Sequence, residues 1–367
     1  MLSLSPQDDS SPAPRPQRIA VIPGDGIGPE VARAAAGVVL AAAERFGARL
    51  ELEWLPLGAD HYLKTGETLT DEMFAHLRDD CDAIFFGAMG DARVPDMRHA
   101  RDVLLGLRFR LDLYVNLRPV KLLHPALTPL KGRGAGDLDF VIFRENTEDV
   151  YVGMGGNFKR DTLDEVAINE MLHTRKGVER IIRAAFEWAV ANGKRRVCMS
   201  DKANVLQFSH GLWQRVFKLV AAEYPQVESR HLYADVLAME MVRAPQDFDV
   251  IVTTNMFGDI LSDLGAELVG GLGLAASANL YPGRVSLFEP VHGSAPALAG
   301  KDVANPFGMI LTGALMLNAL GHPAAGAAVE RAVVECLAAG EATADLGGPL
   351  GTQAAGEAVA RRVRAER

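Results

Sequence analysis

The 367-residue sequence predicts an α/β fold whose chemistry sits at the ends of a largely parallel sheet. Three observations lead there. Short β-prone runs alternate with helical patterns along nearly the whole chain, the signature of sequential strand and helix pairing. Gly-containing or charged turns follow several of the strands, where open α/β sheets gather their ligands. The stretch NMFGDILSD at 255–263 places Asp259 and Asp263 four residues apart beside apolar neighbours, so a helix there carries both carboxylates on one face. The length exceeds what one core usually sustains, and about two or three domains are expected.

In chain order, residues 1–17 are rich in Pro, Ser and Asp and predict a disordered tail. Residues 18–22 form a strand that runs into PGDGIGPE, and 31–46 is Ala-rich with helical spacing. The turn holds Gly24, Gly26 and Gly28, but Pro29 stands where a GxGxxG fingerprint needs its last glycine, so the usual Rossmann motif fails. Strands are expected at 50–54 and 83–86, the second leading into GAMGD with Gly87 at its end. Residues 91–101 read as a polar loop before a helix, and 114–121 and 140–143 as strands. Periodicity lapses over 153–164 and returns weakly to 171, which fits an arm or hairpin. Helices follow at 177–191 and 211–224, strands at 196–200 and 250–253, and a strand turning helical at 231–242. Beyond 268 the run GGLGLAASANL gives no firm assignment; a Gly/Pro-punctuated loop follows 286–288. A buried helix at 307–320, another at 328–338 and a last one from 351 complete the chain.

Composition excludes several classes. Hydrophobic residues make up 49% and charged residues 23%, so the chain is neither disordered nor fibrous. A net charge of −9 disfavours nucleic acid or an anionic membrane as the main partner. No apolar run approaches the roughly 18–20 residues that span a bilayer, and the N-terminus lacks a signal-peptide pattern, so a cytoplasmic protein is expected. Cys81, Cys198 and Cys336 lie far apart without CxxC spacing and imply neither disulfides nor a zinc site.

Strand ends and the loops after them carry Arg108, Arg118, Arg144, Tyr151, Lys202, Asp235, Asp259 and Asp263. Arginine presents a planar fork to carboxylates, so three could hold a di- or tricarboxylate, while a hard cation such as Mg²⁺ or Mn²⁺ would compensate the aspartates. Each residue taken alone also fits a solvated surface or a salt bridge.

Together the segments resemble the isocitrate and 3-isopropylmalate dehydrogenases, the metal-dependent β-decarboxylating dehydrogenases. The matching stretches are IPGDGIGPE, LRFRLDLYVNLRP, RENTEDVY, SDKANV, NMFGDILSDL and FEPVHGSAP, in the family's order over nearly the whole chain after residue 17. The resemblance implies a two-domain isopropylmalate/isocitrate dehydrogenase-like fold. Residues 18–113 plus 271–367 would form a discontinuous nucleotide-binding domain, and 114–270 a smaller substrate and dimerisation domain with an arm near 153–171. It implies oxidation of a 3-substituted malate by NAD, loss of CO₂, and protonation of the resulting enolate. Arg108, Arg118 and Arg144 would bind malate carboxylates; Asp235, Asp259 and Asp263 would serve Mg²⁺ or Mn²⁺, with Asp235 also near substrate. Lys202 looks like the base for the hydroxyl and Tyr151 like the acid for the enolate. Gly87, Glu289, His292, Gly293, Ser294, Ala295, Ala297 and Asn305 would border the cofactor. Lys202 and Asp235 would act in the neighbouring subunit's site, which requires a homodimer.

Departures from the pattern bear on specificity. After GSAP the family carries Asp for NAD or Lys for NADP, whereas this chain has Ala297. The turn TADLGG at 343–348 resembles NAD-linked isopropylmalate enzymes and offers no Tyr or Arg for a 2′-phosphate, so NAD is favoured over NADP. Leu104 and Leu105 match the apolar pair that receives an isopropyl group, and Asp102 would repel a third carboxylate. RENTED at 144–149 looks more like the isocitrate, tartrate and D-malate branches. Arg98, His99 and Arg101 could receive an anionic substituent, a carboxylate or phosphonate, or be solvated. An isopropylmalate-like substrate is expected first, with tartrate, D-malate, a homoisocitrate- or isocitrate-like anion, or a phosphonate-bearing malate as alternatives. A non-catalytic regulatory subunit would have lost the lysine, tyrosine or metal acids, all present here. A non-decarboxylating 2-hydroxy-acid dehydrogenase would show a Gly fingerprint and a catalytic His motif, both absent.

Overall fold

The computed structural model describes residues 15–366. Strand β1 (Gln17–Gly24) and helix α1 (Gly28–Phe46) lead to β2 (Leu50–Trp54), α2 (Ala59–Thr65), α3 (Asp71–Asp79) and β3 (Ala83–Ala88). Next, α4 (Arg98–Ala100) passes through a π-helical stretch, Arg101–Leu105, into α5 (Gly106–Arg110). Strands β4 (Val115–Lys121) and β5 (Asp139–Glu145) precede the hairpin β6 (Gly155–Phe158) and β7 (Val166–Asn169). The chain continues as α6 (Arg175–Ala191), β8 (Arg196–Asp201), α7 (Ser209–Ala221), β9 (Glu228–Tyr233), α8 (Ala234–Arg243), β10 (Val250–Thr253) and α9 (Asn255–Leu268). Strands β11 (Ala276–Leu280) and β12 (Ser286–Pro290) and helices α10 (Phe307–Ala319), α11 (Pro323–Ala338) and α12 (Thr352–Ala365) close it.

Ten strands form one sheet in the order β2-β1-β3-β12-β11-β4-β5-β10-β8-β9. Pairing is antiparallel between β4 and β5, β11 and β4, and β11 and β12, and parallel between all other neighbours. The expected parallel pairing therefore holds toward both edges, and the centre is antiparallel. Alternation along each strand explains how helices cover both faces. Ile19, Val21, Ala83 and Phe85 pack into a core with α1, α10, α11 and α12, while Ala20, Ile22, Ile84 and Phe86 pack the other way against α3 and α5. In the other half, Val141, Phe143, Val250 and Val252 meet α6 and α7, and Ile142 and Ile251 meet α8 and α9.

Several expectations shift. The stretch expected as a tail to residue 17 ends earlier, because Arg15 pairs with Asp82 at 2.8 Å and Gln17 opens β1; residues 1–14 lie outside the described residues. Helices α2 and α3 have no counterpart in the sequence reading. Thr70 caps α3 by accepting from Met73 N at 3.2 Å, but nine residues leave little periodicity to detect. β11 emerges from the unassigned Gly-rich run, and its small residues Ala276, Ser277 and Ala278 lie buried in the sheet centre. The three cysteines are free and buried.

The PGDGIG turn shows why glycine is required. Gly24 has φ +71° and Gly26 φ +60°, and a Cβ on either would sit 1.8 Å from Ala88 O or 1.9 Å from Ser294 O. Gly24→Ala should therefore destabilise the chain by about 1–3 kcal/mol or more, from backbone strain and from the displaced β3 carbonyl. Gly37→Ala, in an open position of α1 with nothing within 4 Å of the new methyl, should stabilise by about 0.5–1 kcal/mol. Thermal unfolding of the two variants should move in opposite directions.

Candidate active site

The parallel strands of the second half end at one level: Arg144 of β5 is level with Thr253 of β10, Thr253 with Ser200 of β8, and Ser200 with Leu232 of β9. Beyond that level lie the loops holding Asn146–Tyr151, Lys202, Asp235 and the first turn of α9. Thr254 caps α9, and Asp149 accepts from Met256 N at 2.9 Å, placing a carboxylate at the positive end of the helix.

Arginine and aspartate meet on the α9 face. Arg144 Nε donates to Asn255 Oδ1 at 2.9 Å, and its Nη1 pairs with Asp259. Arg118 reaches Ser262 Oγ at 2.6 Å, Asp263 at 3.2 Å and Asp259 at 3.4 Å. Gly258 lets Arg144 pass, because a Cβ there would lie 2.5 Å from Arg144 Cγ. Arg108 on α5 pairs with Glu289 Oε1 at 2.5 Å. A polar chain joins these cations across the sheet centre: Asn279 donates to Glu289 at 2.9 Å, Asn116 to Asn279 at 3.0 Å, and Arg118 to Asn116 at 2.7 Å.

The electrostatics follow from burial and mutual charge. Burial, then Arg118, lowers the Arg144 pKa to about 10, so it remains a cation at neutral pH. Arg118 is also lowered by burial. Burial opposes the Asp259 carboxylate, yet Arg144 and Arg118 outweigh it and hold its pKa below the usual range. Asp263 is raised by burial, with Asp259 adding to the effect against Arg118. Burial also raises the Tyr151 phenol, whose hydroxyl donates to Asp259 Oδ2 at 2.9 Å beneath the Arg144 guanidinium.

Lys202 and Asp235 form a pair of their own at 2.5 Å, which lowers the Asp235 pKa. Asp235 does not close into a trio with Asp259 and Asp263 within one chain. Among the described residues, the only three His, Cys, Asp or Glu side chains close enough to share an ion are Glu53, His76 and Cys81. Lys202 N donates to His210 Nδ1 at 2.9 Å, a support the sequence did not reveal.

In the first half, three loops converge. Ile27 N donates to Ser294 O and Asp25 N to Ala88 O, both at 2.8 Å, and Gly87 packs against Pro23 and Gly28. Ala295 adopts φ +37°, and Ala297 is exposed on the short turn after it. Gly293 is exposed; His292 Nδ1 lies 3.0 Å from Gly293 O, while Nε2 is buried without a hydrogen-bond partner. Asn305 bridges to Asp345 of TADLGG at 2.9 Å. Glu289, expected beside the cofactor, accepts from Arg108 and Asn279. Leu104 and Leu105 are half-buried on the π-helical stretch, and Leu104 packs against the α3 and α5 core.

The segment around Leu104 departs from expectation in its charges. His99 is buried and its Nε2 lies 2.9 Å from Asp25 Oδ2, so it is neither solvated nor presented to an anion. Asp25 also accepts from Ala59 N at 2.6 Å and Gly90 N at 2.8 Å, which ties this segment to the glycine turn. Arg98 and Arg101 lie 3.2 and 3.5 Å from Asp102 and share its single carboxylate, so the three side chains carry one net positive charge at the surface. The RENTED acids are structural: Glu145 accepts from Thr147 N at 3.0 Å, Glu148 from Thr174 N at 2.8 Å, and Asp149 caps α9.

The chain matches the isocitrate/isopropylmalate dehydrogenase family model over residues 18–359 and belongs to that family of dehydrogenases. It is 46% identical over 351 residues to the 3-isopropylmalate dehydrogenase of Thermobifida fusca, covering 95% of this chain and 98% of the relative. It is 47% identical over 320 residues to the enzyme of that name from Corynebacterium kroppenstedtii, covering 86% and 92%. The crystal structure of isocitrate dehydrogenase from Methylococcus capsulatus superposes with a TM-score of 0.85 at 39% identity, covering 95% of this chain and 99% of that one. No helix among the described residues is long and apolar enough to cross a membrane.

Burial, then His173, depresses His210 to about 4. A histidine depressed in the folded state contributes stability above its unfolded pKa near 6.5, lost as pH falls toward the folded value. Between pH 6.5 and 4 this one group should remove on the order of 3 kcal/mol. His210→Asn, which keeps an acceptor for Lys202 N, should flatten the unfolding curve over that window.

Proposed function

We propose that this chain catalyses NAD-linked oxidative decarboxylation of a 3-substituted malate with an apolar substituent, 3-isopropylmalate first. The observation that carries this is the group of buried cations Arg108, Arg118 and Arg144 beside Asp259, Asp263 and Tyr151, with half-buried Leu104 and Leu105 just before Arg108 in the sequence. Relatives named 3-isopropylmalate dehydrogenase at 44–47% identity support the same substrate. His99 is tied to Asp25, while Arg98 and Arg101 share the single carboxylate of Asp102; the half-buried Leu104 and Leu105 of the same segment favour an apolar substituent over a third anionic group.

Asp259 and Asp263 fit a hard divalent ion: their side chains are 39% and 51% exposed, one turn apart on α9, and offer only oxygen. Asp259 and Asp263, with Asp235 of a second subunit, would hold Mg²⁺ or Mn²⁺, which would supply Lewis acidity at the reacting oxygens. The three guanidiniums hold the malate carboxylates. Lys202 Nζ would remove the hydroxyl proton, directly or through water, and bound NAD would supply the acceptor for the C2 hydride. After CO₂ leaves C3, Tyr151 Oη protonates that carbon; its raised pKa keeps the phenol protonated until then. His292 Nε2, Gly87, Gly293, Ser294, Ala295, Ala297 and Asn305 border the nucleotide, and TADLGG without Tyr or Arg favours NAD over NADP.

The Lys202–Asp235 pair completes a partner's site in a homodimer, and residues 114–270 form the unit that closes over 18–113 plus 271–367. Exposed apolar side chains support a clasp: Phe158, Leu163 and Ile168 on the hairpin arm, and Met239, Ile260 and Phe208, the last 95% exposed.

A spectrophotometric screen of 3-substituted malates with NAD or NADP and Mn²⁺ should give the highest kcat/KM with 3-isopropylmalate and NAD; a preference for isocitrate or D-malate would redirect the substrate assignment. Lys202→Met should lower kcat by about 10³-fold with NAD affinity unchanged. Mixing Lys202→Met with Tyr151→Phe chains should restore about a quarter of the sites if each site is shared across a two-fold interface, and none if sites are built within one chain.

A further inference from the structure

Far along the sheet from the dehydrogenase site, at its outer edge, an imidazole, a thiol and a carboxylate converge. Glu53 lies on the edge strand β2, His76 in the last turn of α3, and Cys81 between α3 and β3. His76 Nε2 is 3.1 and 3.0 Å from the two Glu53 oxygens, and Cys81 Sγ is 3.9 Å from the same nitrogen. One donor atom from each residue lies within 4.8 Å of the other two. On the far side of the ring, His76 Nδ1 is 3.0 Å from Asp80 Oδ2.

We infer that Glu53, His76 and Cys81 form a binding site for a thiophilic divalent ion, Zn²⁺ in chemical class, separate from the Asp259/Asp263 centre. Ordinary Zn–N, Zn–O and Zn–S bonds in a tetrahedron place ligand atoms about 3.3–3.6 Å apart, so the His76–Glu53 and His76–Cys81 spacings need adjustments of only a few tenths of an ångström, while Glu53 and Cys81, within 4.8 Å of each other, would draw together as the ion binds. Asp80 occupies the position of the outer carboxylate that fixes a metal-binding imidazole by its second nitrogen. Cys81 is buried, whereas the His76 and Glu53 side chains are 28% and 37% exposed, which leaves a path for the ion and room for water as fourth ligand. The ligand set also separates the two centres: Asp259 and Asp263 offer only oxygen, as suits Mg²⁺ or Mn²⁺, whereas sulfur and nitrogen select softer ions. Metal here would tie edge strand β2 to α3 and stabilise the chain by binding the folded form. The competing state is an ion pair without metal, in which Asp80 first and then Glu53 hold His76 above its usual pKa.

Co²⁺ titration of the full-length protein tests this, because cobalt bound to thiolate shows a sulfur-to-metal charge-transfer band that an all-oxygen site cannot give. The expected result is such a band saturating at one equivalent per chain, abolished by Zn²⁺ and by Cys81→Ser, with Mn²⁺-supported dehydrogenase activity of the variant unchanged. Asp80→Asn should weaken binding about tenfold. Absence of the band in the wild-type chain, or its persistence in Cys81→Ser, overturns the inference. Should Cys81→Ser fail to fold, peptide mapping of the wild-type chain decides: Zn²⁺ should protect Cys81 from alkylation, and equal labelling with and without Zn²⁺ would contradict the site.

Discussion

The contact on which the site depends is the buried pairing of Arg144 and Arg118 with Asp259. Two guanidiniums that deep in a protein are tolerable only with their charge and hydrogen bonds answered, and removing one partner of such a group typically costs about 3–5 kcal/mol. Arg144 leaves β5 and reaches Asn255 and Asp259, one turn apart on α9, so the strand end fixes both the height and the rotation of that helix. Gly258 makes this close approach possible, and Asp149 and Thr254 hold the helix start. At rest the pairing also limits the chemistry, since Asp259 answers arginines that a malate would otherwise engage. In the function proposed above, substrate carboxylates and a divalent ion would enter together, each taking over a partner that the other releases.

A second organising contact lies in the half that carries the glycine turn. Asp25 accepts from Ala59 N, Gly90 N and His99, so one buried carboxylate joins four segments of the chain. His99 opens the stretch that carries Leu104 and Leu105, and the turn around Asp25 packs onto Ala88 and Ser294. The apolar segment and the loops proposed to border the nucleotide thus share one anchor. The Asn116–Asn279–Glu289 chain joins Arg108 to Arg118 across the antiparallel centre.

Much of this architecture was legible in the sequence because it rests on local patterns. The strand at 50–54 and the helices α1, α6 and α10 are long enough, or sharply enough bounded, for period and punctuation to agree. Asp259 and Asp263 were visible as a pair because a helix fixes their spacing, and the motif order carried the family. What escaped depends on long-range partners. α2 and α3 are too short to show a period, β11 is built of small residues that only a finished sheet makes a strand, and His99 reads as a surface histidine until Asp25 is placed beside it. The structural roles of the acids in RENTED were hidden for the same reason, since their partners lie up to 107 residues away.

The central claim is that cations and acids compensate one another until substrate and metal arrive together. Binding free energies are reciprocal, so each ligand must then strengthen the other. The most direct measurement is the affinity of Mn²⁺ for the protein with and without saturating 3-isopropylmalate, in the absence of NAD. The account predicts weak binding alone and tightening of about tenfold or more with the malate, with the malate gaining by the same factor from Mn²⁺. Equal Mn²⁺ affinity in both conditions would contradict it.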